Sequence, residues 1–146
     1  MRKRYETASD RQAEKAILDA FIAYRMPSKA WSQKPDPAKA DTSFDAFIIH
    51  ERRIKCVVEI KDRRGWKPEY GTVILGAEKV VSLQKASFFY AVPALFVVRL
   101  HDGIYYIKVP QVPQWEVGVN GRKDRGDDAD IELCYRIPFS EFSKVS

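Results

Sequence analysis

Two apolar segments joined by three charged residues constrain the fold of this 146-residue sequence more than any other feature. The segments read SFDAFIIH at 43–50 and IKCVVEIK at 54–61, and the linker between them is Glu51-Arg52-Arg53. Both segments are rich in the β-branched and aromatic residues that favour strands. Because the linker is so short, the two strands are expected to pair as an antiparallel hairpin.

The register of this hairpin brings charged side chains together in an apolar setting. If the strands are symmetric about Arg52, Asp45 lies opposite Glu59, and Lys61 points to the same face as Glu59 because strand residues alternate. A register shift of one residue would move these side chains to the other face. On an exposed strand face, Glu59 and Lys61 would be only a surface ion pair of little energetic weight. We predict a cluster of two carboxylates and a lysine at the open end of the hairpin.

Hydrophobic spacing and turn residues divide the rest of the sequence into helices, strands and loops. The expected elements are helices at 9–24 and 77–90, strands at 72–75, 94–100, 104–109 and 131–137, a short terminal helix from Pro138, and irregular segments at 28–43 and 111–130. With the hairpin, the order is α-β-β-β-α-β-β followed by a C-terminal strand. This order predicts an α/β fold with a three-layer αβα core, in which helices flank a central mixed β-sheet.

The length of the chain favours a single domain over residues 1–146. Its core is expected at about 9–109, and residues 110–146 are expected to form a C-terminal extension.

The modest positive charge of the sequence allows a polyanionic partner. Lys and Arg number 25 against 20 Asp and Glu, and the excess of +5 is concentrated before residue 40 and around Arg63-Arg64. No apolar stretch approaches the roughly 20 residues that a bilayer-spanning helix needs, so no membrane association is expected. The two cysteines, Cys56 and Cys134, show no metal-binding spacing, which is typical of a reduced cytoplasmic protein.

The predicted pairing of Asp45 with Glu59 points to a metal ion, because two facing carboxylates repel each other unless a cation lies between them. A hard divalent ion such as Mg²⁺ takes oxygen ligands, often one or two carboxylates plus waters. Lys61 could orient a water or neutralise developing negative charge, as metal-assisted phosphodiester hydrolysis requires. Glu14 adds a carboxylate on the core-facing stripe of the first helix, where it is costly without a partner. Gln84 of the second helix could hydrogen-bond a metal-bound water or a catalytic side chain.

The order of these residues resembles the PD-(D/E)XK nuclease superfamily, and most of all its Holliday-junction-resolvase-like and phage-type members. The matching pieces are Glu14 in an N-terminal helix, Asp45 in a strand and Glu59-Ile60-Lys61 after a short hairpin. Phe44 stands where the family has proline before the aspartate. The resemblance covers about residues 9–109.

This resemblance implies a set of roles. Asp45, Glu59 and the Ile60 carbonyl would bind Mg²⁺, for which Mn²⁺ would substitute. Lys61 would assist the attacking water, and Glu14 would be a direct or outer metal ligand. The position of Gln84 looks like that of a glutamine on the same helix in some members of the superfamily.

The resulting expectation is a Mg²⁺-dependent endonuclease that acts on structured or non-sequence-specific DNA in recombination, repair or phage DNA processing. A homodimer would suit symmetric cutting of two strands. The side chains expected to contact the DNA backbone are Arg4, Arg63, Arg64, Lys67, Lys79 and Lys85. Trp66 is expected to stack on a base. Two other hypotheses stay open: a catalytically inactive nuclease-fold module that binds nucleic acid, and an interaction protein whose charges only keep it in solution.

Overall fold

The computed structural model of the chain describes residues 8–36, 44–120 and 132–146. In these ranges two helices and nine strands follow one another along the chain. Their bounds are α1 Ala8–Arg25, β1 Trp31–Gln33, β2 Ala46–His50, β3 Arg53–Asp62, β4 Thr72–Gly76, α2 Ala77–Tyr90, β5 Ala94–Leu100, β6 Gly103–Lys108, β7 Glu116–Asn120, β8 Glu132–Pro138 and β9 Ser143–Lys144. The second helix begins and ends at the predicted residues, and the first extends one residue further at each end than predicted.

The central sheet is mixed and six-stranded, with the order β1-β2-β3-β5-β6-β9. The central pair β3 and β5 is parallel, whereas the other neighbours in this sheet are antiparallel. Strands β4, β8 and β7 form a separate three-stranded antiparallel sheet. The predicted α/β fold with a central mixed sheet and flanking helices is thereby confirmed.

Each face of the central sheet carries its own apolar core. Helix α1 packs on β3 and β5, and its buried side chains share a cluster with Val58 and Ile60 of β3. Helix α2 packs over the other face, where Val57 of β3 lies. Successive strand residues point to opposite faces. The alternation of residues 57, 58 and 60 between the two clusters therefore places the helices on opposite sides of the sheet. Neither α1 nor α2 combines the length and apolar composition that a membrane-spanning helix needs.

The β2–β3 hairpin has the predicted register at its open end, where Ala46 pairs with Val58. At its closed end the turn contains only Glu51 and Arg52, both with positive φ, rather than the three expected residues. A two-residue turn with positive φ at both positions matches the twist of the strands. A bulge between residues 48 and 49 then shifts the strand pairing by one residue. Beyond the bulge, the pairing returns to the predicted register. The open end, where Asp45 lies, keeps the predicted pairing for this reason.

Three strands lie where the sequence predicts irregular chain or a helix. Strand β1 pairs with the edge of β2, and β7 pairs with β8. The predicted terminal helix is wrong: a single 3-10 turn at Phe139–Glu141 is followed by β9, which pairs with β6. The Val145 amide donates to the Ile104 carbonyl at 2.8 Å, and the Val145 side chain is buried on the α1 side of the sheet. Pairing with the open edge of β6 and burial of this valine explain why the segment is extended.

Candidate active site

Asp45 directly precedes β2 and is fixed to β3 by two hydrogen bonds. Its backbone amide donates to the Val58 carbonyl at 3.0 Å. Its carboxylate Oδ2 accepts the Ile60 amide at 2.6 Å, a charge-assisted contact. The Asp45 carboxylate therefore lies against the main chain of β3 between Val58 and Lys61. Phe44, the departure from the family's proline, is buried and stacks edge-on against Phe47 with ring centroids 4.9 Å apart.

Glu59 is the most buried carboxylate of this site, with 1% of its surface exposed. Its Oε2 lies 3.6 Å from Lys61 Nζ and 3.7 Å from Lys79 Nζ. Its Oε1 is buried and has no hydrogen-bond partner among the residues of the described ranges. A buried polar atom without a partner is costly and calls for a ligand that completes its coordination.

Burial, the largest cause, and the negative charge of Asp45 raise the pKa of Glu59 from 4.5 to about 7. The Lys79 and Lys61 ammonium groups oppose this rise, whereas the Glu14 carboxylate adds to it. Both carboxylates predicted as partners of Glu59 therefore lie close enough to act on its ionisation.

Glu14 and Gln84 occupy different surroundings. Glu14 is half-buried on α1, one turn before the buried Ile17 and Leu18. The Nε2 of Gln84 donates to the carbonyls of Pro110 at 3.1 Å and Gln111 at 3.2 Å. The described hydrogen bonds of Gln84 thus tie α2 to the segment after β6 and do not lead to the carboxylate pair.

The basic residues predicted to contact DNA divide into exposed and inward-pointing side chains. Arg64, Lys67 and Lys85 are exposed to solvent. Arg63 turns inward, and its guanidinium donates to the Ile74 carbonyl of β4. Arg4 lies outside the described residues.

Trp66 cannot stack on a base as predicted. Its indole is 8% exposed, donates from Nε1 to the Thr72 carbonyl at 2.8 Å and contacts the Phe139 ring at 4.8 Å between centroids. The prediction was wrong because an aromatic residue in a charged loop has the same sequence pattern whether it faces solvent or fills the core.

Two features of the site were missed at the level of sequence. Lys79 was expected only to contact DNA, but its ammonium group approaches Glu59 from α2. Asp62 accepts a bidentate pair of hydrogen bonds from Arg99, at 3.1 Å from Nε and 2.8 Å from Nη2. These hydrogen bonds hold the pKa of Asp62 below its usual range. Asp62 and Arg99 face each other in the parallel β3–β5 register, a partnership that only the sheet order reveals.

Comparison with known families decides the class of protein. The sequence matches, over residues 1–145, a family described as "Phage putative PDDEXK endonuclease". The chain belongs to this PDDEXK endonuclease family. The superfamily predicted from Glu14, Asp45 and Glu59-Ile60-Lys61 is thereby confirmed, and the chain is placed among the nucleases.

The fold of this PDDEXK protein is also similar to that of a solved structure. The Holliday junction resolvase Hjc from Archaeoglobus fulgidus, an archaeal hyperthermophile, superimposes with a TM-score of 0.56 at 12% sequence identity. The match covers 91% of this chain and 92% of that one. At this identity the similarity concerns the fold alone. No curated protein matches the sequence.

The donor set of this PDDEXK site fits a hard divalent cation. Across residues 8–36, 44–120 and 132–146, no group of three or more His, Cys, Asp and Glu side chains stands together as a ligand set. Mg²⁺ needs fewer protein ligands, since it keeps several waters and is bound through one or two carboxylates. Glu59 Oε1, which has no partner in the part of the chain that the structure describes, and the nearby Asp45 form such a carboxylate arrangement.

Proposed function

We propose that this protein is a Mg²⁺-dependent endonuclease that hydrolyses DNA phosphodiester bonds. Its proposed active site contains Asp45, Glu59 and Lys61. One observation carries the proposal. Among the described residues, the buried Glu59 carboxylate has one oxygen without a partner, lies near Asp45 and has two lysines at its other oxygen. A buried carboxylate beside a half-buried one and two cations is typical of a functional site rather than of a stabilising surface pair.

Asp45, Glu59 and the Ile60 carbonyl are proposed to hold the metal ion, with Glu14 as a direct or outer ligand. The amide of Ile60 already points to Asp45. The amide and carbonyl of a strand residue face the same neighbour in an antiparallel pair, so the Ile60 carbonyl is oriented to the same side. When bound, Mg²⁺ would polarise the phosphodiester and lower the pKa of a bound water; Mn²⁺ is expected to substitute.

The two lysines are proposed to act on the reacting phosphate from opposite elements. Lys61 is 36% and Lys79 39% exposed at the side chain, so each ammonium group reaches both Glu59 and the solvent. Lys61 would orient the attacking water, and both lysines would stabilise negative charge that develops on the phosphate. Gln84 is retained as a proposed auxiliary residue on the same helix as Lys79.

We infer that the substrate is structured or non-sequence-specific DNA. The exposed Arg64, Lys67 and Lys85 offer phosphate contacts that carry no sequence information. The similarity to a Holliday junction resolvase supports branched DNA within this class, as would arise in recombination, repair or phage DNA processing.

A homodimer is part of the same proposal, because cutting two strands symmetrically needs two sites. The outer face of α2 supports it: Val81, Phe88 and Phe89 are 45%, 84% and 78% exposed. Phe88 and Phe89 follow Val81 at the helical spacings of seven and eight residues, and the three form an apolar stripe opposite the buried one. Sedimentation measures the mass of the species in solution for the wild type and for Phe88→Glu. If this stripe joins two copies, the wild type should be a dimer and Phe88→Glu a monomer. A monomeric wild type would contradict the proposal.

Cleavage of plasmid and junction DNA in Mg²⁺ or Mn²⁺ tests the nuclease. Lys61→Ala and Asp45→Asn are expected to lower the rate by about a hundredfold or more, the usual effect of removing an electrostatic or metal-binding group. Lys55→Ala, an exposed lysine at the far end of the same strand, is the matched control. Undiminished cleavage in both site variants would place the chemistry elsewhere. Salt-dependent DNA binding without cleavage in either metal would favour the inactive binding module.

A further inference from the structure

Arg63 has surroundings unlike those of a residue that grips DNA. It comes directly after β3, and its amide donates to the Arg99 carbonyl at 2.8 Å, which extends the β3–β5 pairing past Lys61. Its guanidinium donates to the Ile74 carbonyl in β4. The Arg63 Cζ lies 5.9 Å from the centroid of the Phe96 ring. The backbone and the side chain of Arg63 are thus both held by the protein.

The charges around Arg63 belong to the active site and to the C-terminal segment. Burial lowers the pKa of Arg63, and Glu59 is the strongest of the negative groups that oppose this effect, with Glu132 also contributing. Glu132 lies on β8, and its carboxylate oxygens are 3.3 and 3.4 Å from where a Cβ on Gly76 would stand. Arg63 therefore lies between Glu59 and Gly76, the last residue of β4, after which α2 begins.

The hydrogen bond from Arg63 to Ile74 joins two elements that do not pair with each other. Strand β3 belongs to the central sheet, whereas β4 belongs to the three-stranded sheet. Strand β3 carries Lys61, and β4 leads directly into α2, whose first turn carries Lys79. The ammonium groups of both lysines lie 3.6–3.7 Å from the same Glu59 oxygen. The separation between the two lysines across Glu59 consequently depends on how β4 is held against the end of β3.

We propose that Arg63 is a positioning residue that fixes Lys79 of α2 relative to Lys61 and Glu59 of β3, by bonding to the Ile74 carbonyl. This inference rests on the proposed nuclease function and assigns Arg63 a role other than phosphate binding. Small displacements of catalytic groups have large kinetic effects, since a misplacement of about 1 Å can cost about a hundredfold in rate.

The test compares Arg63→Met and Arg63→Lys with Arg64→Met, the neighbouring exposed arginine. Cleavage of a labelled branched DNA in Mg²⁺ gives kcat and KM, and anisotropy in Ca²⁺ gives DNA affinity against salt concentration. Arg63→Met should lower kcat by about ten- to a hundredfold with little change in KM or in the salt slope. Arg63→Lys should recover part of kcat, because lysine keeps the charge but lacks the planar fork. Arg64→Met should instead raise KM and reduce the salt slope by about one phosphate contact.

Amide hydrogen exchange supplies a readout that does not depend on activity. Peptides that cover residues 72–80 should exchange about fivefold faster in Arg63→Met, as expected for the loss of one hydrogen bond that holds β4, and by a smaller factor in Arg63→Lys. Peptides from β5 and β6 serve as internal controls. If Arg63→Met does not fold, Arg63→Lys carries both measurements.

Three outcomes would overturn the positioning role while leaving the nuclease proposal intact. They are an unchanged kcat in Arg63→Met, a raised KM with a shallower salt slope, and unchanged exchange over residues 72–80. A wild-type protein that cleaves no DNA in either metal would overturn the nuclease proposal first and this role with it, so the two failures are distinguishable.

Discussion

Replacing Glu59 by glutamine should make the unfolding free energy of this protein less dependent on pH. The rise in the pKa of Glu59 from its ordinary value of 4.5 to about 7 corresponds to about 3 kcal/mol, because each tenfold change in protonation is worth about 1.4 kcal/mol. The sign follows from the direction of the rise. Below about pH 4.5 Glu59 is protonated in both states. As the pH rises from 4.5 to about 7, Glu59 ionises in the unfolded chain before it ionises in the folded state. Ionisation therefore stabilises the unfolded chain, and the free energy of unfolding falls.

We expect the wild type to lose about 3 kcal/mol relative to Glu59→Gln between pH 4.5 and pH 8 when no divalent metal is present. Titrating groups remote from Glu59 cancel in this difference because both proteins carry them in the same surroundings. Urea unfolding followed by tryptophan fluorescence in EDTA measures it. With a slope of about 2 kcal/mol per molar urea, the midpoints should separate by about 1.5 M more at pH 8 than at pH 4.5.

The matched control is Glu69→Gln, because the Glu69 side chain is exposed and contacts water in both states. Its stability difference from the wild type should stay constant across the same pH range. A constant difference for Glu59→Gln as well would refute the reasoning, since it would show that folding does not disfavour the Glu59 charge.

Three further changes test the neighbouring contacts. Mg²⁺ at about a hundred times its dissociation constant should stabilise the wild type by about 2.7 kcal/mol in thermal unfolding. The same Mg²⁺ concentration should stabilise Asp45→Asn by less. Equal stabilisation of both proteins would exclude Asp45 as a ligand. Trp66→Phe should cost about 1–2 kcal/mol in urea unfolding, because the bond to Thr72 is lost, and should leave DNA affinity unchanged. Asp62→Asn should destabilise the protein at neutral pH but not below the pKa of Asp62, where the bond from Arg99 no longer meets a charge; a loss that persists in acid would contradict this.

The elements with strong local signals could be read from the sequence. Helix α2 and strand β5 have the predicted bounds, because helical spacing and a continuous apolar run are properties of consecutive residues. Asp45 and Glu59 stood out for a similar reason: each is a carboxylate within an otherwise apolar strand segment, and the short linker fixed their approximate register.

The surroundings of the charged side chains depended on the tertiary structure. Lys79 and Lys85 lie on the same helix, yet one approaches a buried carboxylate and the other faces solvent. Arg63 and Arg64 are adjacent in a charged loop, yet one bonds to β4 and the other is exposed. Spacing along the chain is the same in either case, so only packing between distant segments distinguishes them.

By itself, the sequence indicated the superfamily through its resemblance to the family's motif order. Residue type and local periodicity predicted the layered α/β fold and the candidate carboxylates Asp45 and Glu59. Only the tertiary structure decided that TVIL at 72–75 joins a second sheet, that β9 closes the edge of β6 and that Lys79 meets Glu59. The physical reason is common to all three. Hydrogen bonds at sheet edges and contacts across a core join residues far apart in the chain, and their partners are chosen by burial and by unpaired backbone groups in the assembled fold.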